Sequence, residues 1–302
     1  MSTAVLPREA ERATGRVAPL QVPVQLPRRR YGPGHRLDVL SVTSVRAFEK
    51  CPEAFRRRYL LGEREPTNLS MLMGSVVGDS LAHFFQHQID NEPLARSEVD
   101  DLAVSIFDQK IAGAVLGDGD DPVAAKAQCR SGVDSYLEEL APRIQPISVE
   151  RRASFRLAEE QEWRFVCFFD LECEDEIPDL KFGEERVSEA RILKDLQATA
   201  YAYCRWAEGT PAGFVFHSGL LEAMAGEPRW LAIPASRSVA HFLGFEQRVA
   251  RAARQIVHLD ETEPGEWPLS SEWDGWCAPR EGTKGCPYWD RCPVSGNPDS
   301  FR

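Results

Sequence analysis

The chain has 302 residues, long enough for one large α/β domain or two modest ones, and its 43% hydrophobic and 27% charged residues are ordinary for a soluble globular protein. No apolar run reaches membrane-spanning length, and the N-terminus lacks the basic-then-apolar pattern of a secretory signal, so no membrane partner and a cytoplasmic location, in a bacterial or phage-infected cell, are expected. The net charge of −11 does not exclude nucleic acid: phosphate binding needs only a local basic groove, and a site that collects divalent metal needs carboxylates of its own.

Residues 1–36 hold Arg8, Arg12, Arg16, Arg28, Arg29, Arg30 and Arg36 against only Glu9 and Glu11, with many prolines and no apolar period, and read as a flexible basic arm. Order is expected from about Leu40, in a domain spanning 37–302. Ser41 to Ser44 carry a helix-start signal, and Val45, Phe48 and Phe55 recur at helical spacing. Helices follow at Met73 to Gln88, 97–115 and 122–142, so that about 90–145 forms a helical insertion. Then the period changes. Strands are expected at 148–157, 162–171 and 176–181, with Pro178 marking an edge or a bulge. A helix over 192–207, strands at 212–220 and 228–234, and a helix over 237–258 complete a mixed β-sheet flanked by helices.

Asp170 ends one strand, and Asp179-Leu180-Lys181 lies on the next. Strand alternation puts Asp179 and Lys181 on one face, and a tight turn brings Asp170 beside Asp179. Two carboxylates so placed repel unless a cation neutralises them, and hard oxygen ligands suit Mg2+ or Mn2+. A lysine two residues on can orient water and stabilise charge on a phosphate. Gln197 and Tyr201 sit four apart, on one helical face, where both can reach a phosphate or that water. Each pattern taken alone arises readily by chance.

With no export signal, the eight cysteines point to metal rather than disulfides. Cys129, Cys167 and Cys204 sit in core-like patterns, and Cys173 is unassigned. Cys277, Cys286 and Cys292 stand in a Trp-, Pro- and Gly-rich tail (about 270–293), and Cys51 makes a fourth thiolate. Four thiolates serve either a 4Fe–4S cluster or a structural Zn2+, and the close CxxC pairs usual for zinc are absent.

From Ser41 to Cys292 the chain resembles the RecB-like branch of the PD-(D/E)XK nucleases, which includes CRISPR-associated exonucleases and AddB-type recombination nucleases. The matching pieces are Leu40-Ser41-Val42-Thr43-Ser44 leading to Phe48-Glu49-Lys50-Cys51-Pro52, Gly74-Ser75-Val76-Val77, Asp170, Asp179-Leu180-Lys181, Gln197-x3-Tyr201 and the terminal cysteines. The resemblance implies a restriction-endonuclease-like fold with Asp170, Asp179 and the Leu180 carbonyl as metal ligands, Lys181 as catalytic lysine, and Gln197 and Tyr201 as the family's QxxxY pair. It further implies a 4Fe–4S cluster on Cys51, Cys277, Cys286 and Cys292, DNA as substrate (single-stranded or duplex ends, exonuclease mode), and recombination or CRISPR-adaptation partner proteins. Two departures stand out. Gly78 occupies the position of a metal-binding histidine, leaving His83 or Asp79 as nearby candidates, and Phe168 or Phe169 stands where a small glycine precedes the first aspartate. Tyr203, Trp206 and the basic arm are further candidate nucleic-acid contacts.

Overall fold

The structure, a computed structural model, describes residues 39–156, 164–183, 189–220, 229–262, 267–270, 277 and 285–292. The expected basic arm and most of the cysteine-bearing tail lie outside the described residues.

Strand β1 (Val39–Ser41) leads directly into helix α1 (Val42–Lys50). Ser41 explains the abrupt start: its hydroxyl accepts the Ser44 N–H at 3.2 Å, and the Ser44 hydroxyl accepts the Ser41 N–H at 2.8 Å, a reciprocal capping box. Cys51 is extended and ends the helix, and Pro52 opens the short α2 (Pro52–Phe55). A single π-turn covers Arg56–Leu60. After β2 (Thr67–Asn68), the Asn68 side chain caps α3 (Leu69–Ile89) by accepting the Met71 N–H at 2.9 Å, so this helix starts four residues before the expected Met73. Helix α4 (Arg96–Ile111), β3 (Ala114–Val115) and α5 (Pro122–Glu139) make up the helical part.

Strands β4 (Ser148–Arg156), β5 (Arg164–Glu172) and β6 (Glu176–Gly183) then precede α6 (Glu189–Lys194) and α7 (Leu196–Ala207). The elements close with β7 (Gly213–Leu220), β8 (Arg229–Ala235) and α8 (Val239–Thr262). The mixed, helix-flanked α/β architecture is as expected, but the sheet is split. Strand β5 pairs in parallel with β1 and antiparallel with β4; β7 pairs in parallel with β6 and antiparallel with β8. A tight turn joins β5 to β6, the Cys173 N–H donating to the Glu176 carbonyl at 2.9 Å, yet no ladder connects them. They diverge because the Asp170 carboxylate, not a β5 carbonyl, takes the Leu180 N–H at 2.7 Å. Pairing of β6 on one side only also accommodates Pro178.

Each face of the strands has its own core. Helices α7 and α8 cover Phe165, Cys167, Phe169, Phe214 and Phe216, and helices α3 and α5 cover Leu171, Cys173 and Trp230 around Phe85 and Tyr136. Each such fully buried Phe or Leu contributes about 1.5–3 kcal/mol. Gly132 on α5 lets the Phe182 ring lie against the helix; a Cβ there would collide with it, and this close approach seats α5 beside β6. No helix among the described residues is long and apolar enough to cross a membrane.

Candidate active site

The site lies where β5 and β6 diverge. Asp179 is fully buried on the α7 side of β6, while Leu180 packs into the opposite core. The Asp179 Oδ1 accepts from Gln197 Nε2 at 2.7 Å. Its Oδ2 has no hydrogen-bond donor of suitable geometry and lies 2.5 Å from the Lys181 Nζ. Lys181 Nζ also stands 3.5 Å from the Leu180 carbonyl. Asp170, Asp179, Lys181, Gln197, Tyr201 and Leu180 are thus all brought together.

Gln197 and Tyr201 do something that their spacing alone does not specify. The Gln197 amide donates to Asp179 and, at 2.8 Å, to the Tyr201 hydroxyl, which itself donates to the Phe168 carbonyl on β5. This relay runs from β6 to β5 across the gap where no ladder exists, so α7 braces the separation of the strands that carry the two aspartates. Helix α7 is itself anchored. Its N-cap Asp195 accepts the Ala198 N–H at 2.9 Å and the Arg46 guanidinium at 2.8 Å, and Arg237 donates to Thr199 Oγ1, the Ile192 carbonyl and the Asp195 carbonyl. The sequence reading missed Arg46, Asp195 and Arg237. Asp195 alone carried a signal, an N-cap residue ahead of an apolar run.

The electrostatics follow from burial. Burial and the neighbouring Asp179 charge push the Asp170 carboxyl up to about 7, against the pull of Lys181. Burial raises Asp179 too, partly offset by the Lys181 ammonium. Burial alone would lower Lys181, but Asp179 and Asp170 outweigh it and hold the ammonium protonated. Two carboxylates and a main-chain carbonyl, one buried carboxylate oxygen lacking a hydrogen-bond donor, suit a small hard divalent cation.

The third-ligand candidates do not join them. Asp79 is ion-paired with Lys110, and His83 is exposed with its ring 6.4 Å from that of His87. Gly78 faces open space. Among the described residues, no three His, Cys, Asp or Glu side chains stand together as a single-ion site. Glu150 on β4, exposed and with a left-handed backbone (φ 48°), is a further carboxylate whose charge reaches Asp170. Of the two phenylalanines, Phe169 is core and Phe168 is exposed. Tyr203 is buried in the core beneath α8, which removes it as a nucleic-acid contact.

Of the four tail-related cysteines, Cys51 and Cys286 share one small cluster, and among the described residues no three of the four stand together as a metal site. Cys51 is buried with Ala54 and Tyr288, and Cys286 packs against this cluster. Burial pushes the Cys286 thiol up to about 11, helped by Cys51, Cys292 and Cys277. Buried Glu53 holds Arg56 and Arg57, Arg57 donates to the Arg291 carbonyl at 2.9 Å, and the Tyr288 hydroxyl donates to the Glu63 carbonyl at 2.8 Å. The remaining four, Cys129, Cys167, Cys173 and Cys204, are all buried.

A family model described as the PD-(D/E)XK nuclease superfamily matches residues 39–293. No curated protein matches the chain. The matched span runs from β1 through the divergent strands, the lysine-bearing β6 and the α7 brace to the terminal cysteines, and on that match the chain belongs to the PD-(D/E)XK nuclease superfamily.

Proposed function

We propose that the protein is a metal-dependent deoxyribonuclease, an exonuclease that hydrolyses phosphodiester bonds from DNA ends in repair, recombination or phage DNA processing. The observation that carries this reading is the fully buried Asp179, whose Oδ2 is ion-paired with the Lys181 ammonium but accepts no hydrogen bond of suitable geometry, while Asp170 stands across the strand gap. Asp170, Asp179 and the Leu180 carbonyl would hold Mg2+ or Mn2+. Such a cation supplies Lewis-acid stabilisation of charge building on the phosphate. Lys181 keeps its proton beside two carboxylates and, at the open edge of the site, orients the attacking water and stabilises the same charge. Gln197 and Tyr201 act as positioning residues, because their hydrogen bonds end on Asp179 and the β5 main chain and not in open space.

The test is end-labelled linear DNA with manganese, beside Asp179→Ala and Lys181→Ala. Wild-type protein should release short products from linear DNA and spare a closed circle, and both variants should lose cleavage by about a hundredfold or more. A second reading, a nuclease-fold subunit that binds DNA without turnover, is favoured by Gly78 and by the failure of Asp79 and His83 to reach the carboxylates. DNA binding without cleavage in all three proteins would establish it.

The cysteines fit a 4Fe–4S cluster better than zinc. What supports the cluster over zinc is the spacing: the close CxxC pairs usual for structural zinc are absent from Cys51, Cys277, Cys286 and Cys292. Ligation from Cys51 and residues 277–292 would close a loop of more than 220 residues, which favours a structural role for the cluster. Cys286→Ala should lose visible absorbance and solubility together; absorbance at the wild-type level would remove Cys286 from the ligand set.

A further inference from the structure

The hairpin of β4 and β5 has two unlike faces. Ala153, Phe165, Cys167 and Phe169 point into the core beneath α7 and α8. The residues between them pair on the outer face: Arg152 opposite Phe168, Ser154 opposite Val166, and Arg156 opposite Arg164, with Val166 itself buried between the exposed Phe168 and Arg164. Arg152, Arg156, Arg164 and Phe168 are exposed, the phenylalanine at 53%. None of the three arginines has an ion pair or a hydrogen bond from its side chain among the described residues, whereas their neighbour Arg151, on the inner face, is tied to Glu172 and Glu208.

This strip is costly for the fold. Like charges directly opposite on adjacent strands destabilise a ladder, and an exposed phenylalanine gains nothing from burial. It is also unusual in a chain of net charge −11. It begins two residues from Asp170 on the same strand, and the Phe168 carbonyl is the atom that Tyr201 holds.

We propose that this face is the track along which single-stranded DNA reaches the site: Phe168 stacks on a base beside the phosphodiester to be cut, and Arg152, Arg156 and Arg164 hold successive phosphates. The inference rests on the nuclease reading and adds to it the surface that receives the strand. Charge complementarity selects a polyanion, and the ring selects an unpaired strand, because duplex bases are already stacked on their neighbours and offer no free face. Residues two apart on a strand advance by about 6.8 Å, so Arg164 lies roughly 20 Å from Asp170 and the track serves several nucleotides.

The test measures binding of labelled single-stranded DNA to the full, anaerobically purified protein without added divalent cation, across a salt series, and cleavage of linear DNA by the same preparation in manganese. Phe168→Ala should weaken single-strand binding roughly five- to hundredfold and leave duplex binding unchanged. The pair Arg156→Ala and Arg164→Ala should reduce the salt-dependence slope by roughly 1.4, two phosphate contacts at about 0.7 each. All these side chains are exposed, and matched urea midpoints would show that folding is intact. Wild-type binding by these variants alongside normal cleavage would overturn the track and leave the nuclease standing. Equal losses on duplex, or a preference for RNA through the same residues, would overturn the substrate assignment. A wild-type protein that neither binds nor cleaves DNA would overturn both.

Discussion

Strands β6 and β7 bury polar side chains on both faces, and the two faces treat them in opposite ways. Toward α5, His217 is 1% exposed, and its Nδ1 lies 2.7 Å from the Tyr136 hydroxyl. Burial lowers the imidazole to about 4 and raises the phenol, so both are neutral and each satisfies the other. Toward α7, the equally buried Asp179 holds one oxygen in an ion pair with Lys181 without a well-formed hydrogen bond, and Asp170 is pushed to about 7. Neutral, mutually bonded groups hold a fold together. Two carboxylates gathered around one lysine are arranged for something that folding alone does not require.

Breaking one face and then the other should separate stability from activity. His217→Ala leaves the Tyr136 hydroxyl unpaired beside a cavity and should cost about 2–4 kcal/mol in urea denaturation, while cleavage at 25 °C persists. Asp179→Asn, at the same depth, should abolish cleavage and leave the denaturation midpoint equal or higher. If both variants behaved alike, the distinction between the faces would be lost.

The two faces should also leave opposite marks on the pH dependence of the metal-free protein. The His217 pKa is depressed from 6.5 to about 4, so the unfolded chain binds more protons between those values, and its contribution to stability grows as pH rises through that window. The Asp170 pKa is raised from 3.8 to about 7, so the folded chain binds more protons there, and its contribution falls as pH rises. Thermal melts of Asp170→Asn should therefore show stability rising more steeply from pH 4 to 6.5 than in wild type, and His217→Ala should show it rising less. A smaller effect is expected at Gly78, which lies one turn beyond Gly74, the glycine packed toward the Phe182 carbonyl, and faces open space. Gly78→His should tighten manganese binding a few-fold; unchanged affinity would place α3 outside the metal's reach.

Much of the strand and helix order was legible because it is written in local periodicity. Alternation along β6 places Asp179 and Lys181 together, and the four-residue spacing places Gln197 beside Tyr201. What escaped was set by partners distant in sequence. The pairing of Val39 with Arg164, the bond from Arg46 to Asp195 and the Tyr136–His217 pair leave no short-range pattern. The split between β5 and β6 depends on a side chain replacing a carbonyl, which no hydrophobic period reports. Phe168 and Phe169 are identical in type, and only the register shows that one is core and the other stands on the surface. The start of α3 was a readable signal: Asn68 is an ordinary N-cap.

The central claim is that Asp170 and Asp179 converge on one divalent cation. Manganese titration of the wild-type protein and of Asp170→Asn and Asp179→Asn, followed by the loss of the free-ion electron paramagnetic resonance signal, tests it most directly. The account predicts a saturable site in the wild type, tightening as pH rises through about 7 as Asp170 ionises, and absent from both variants. Saturable binding of equal affinity in all three proteins would contradict it.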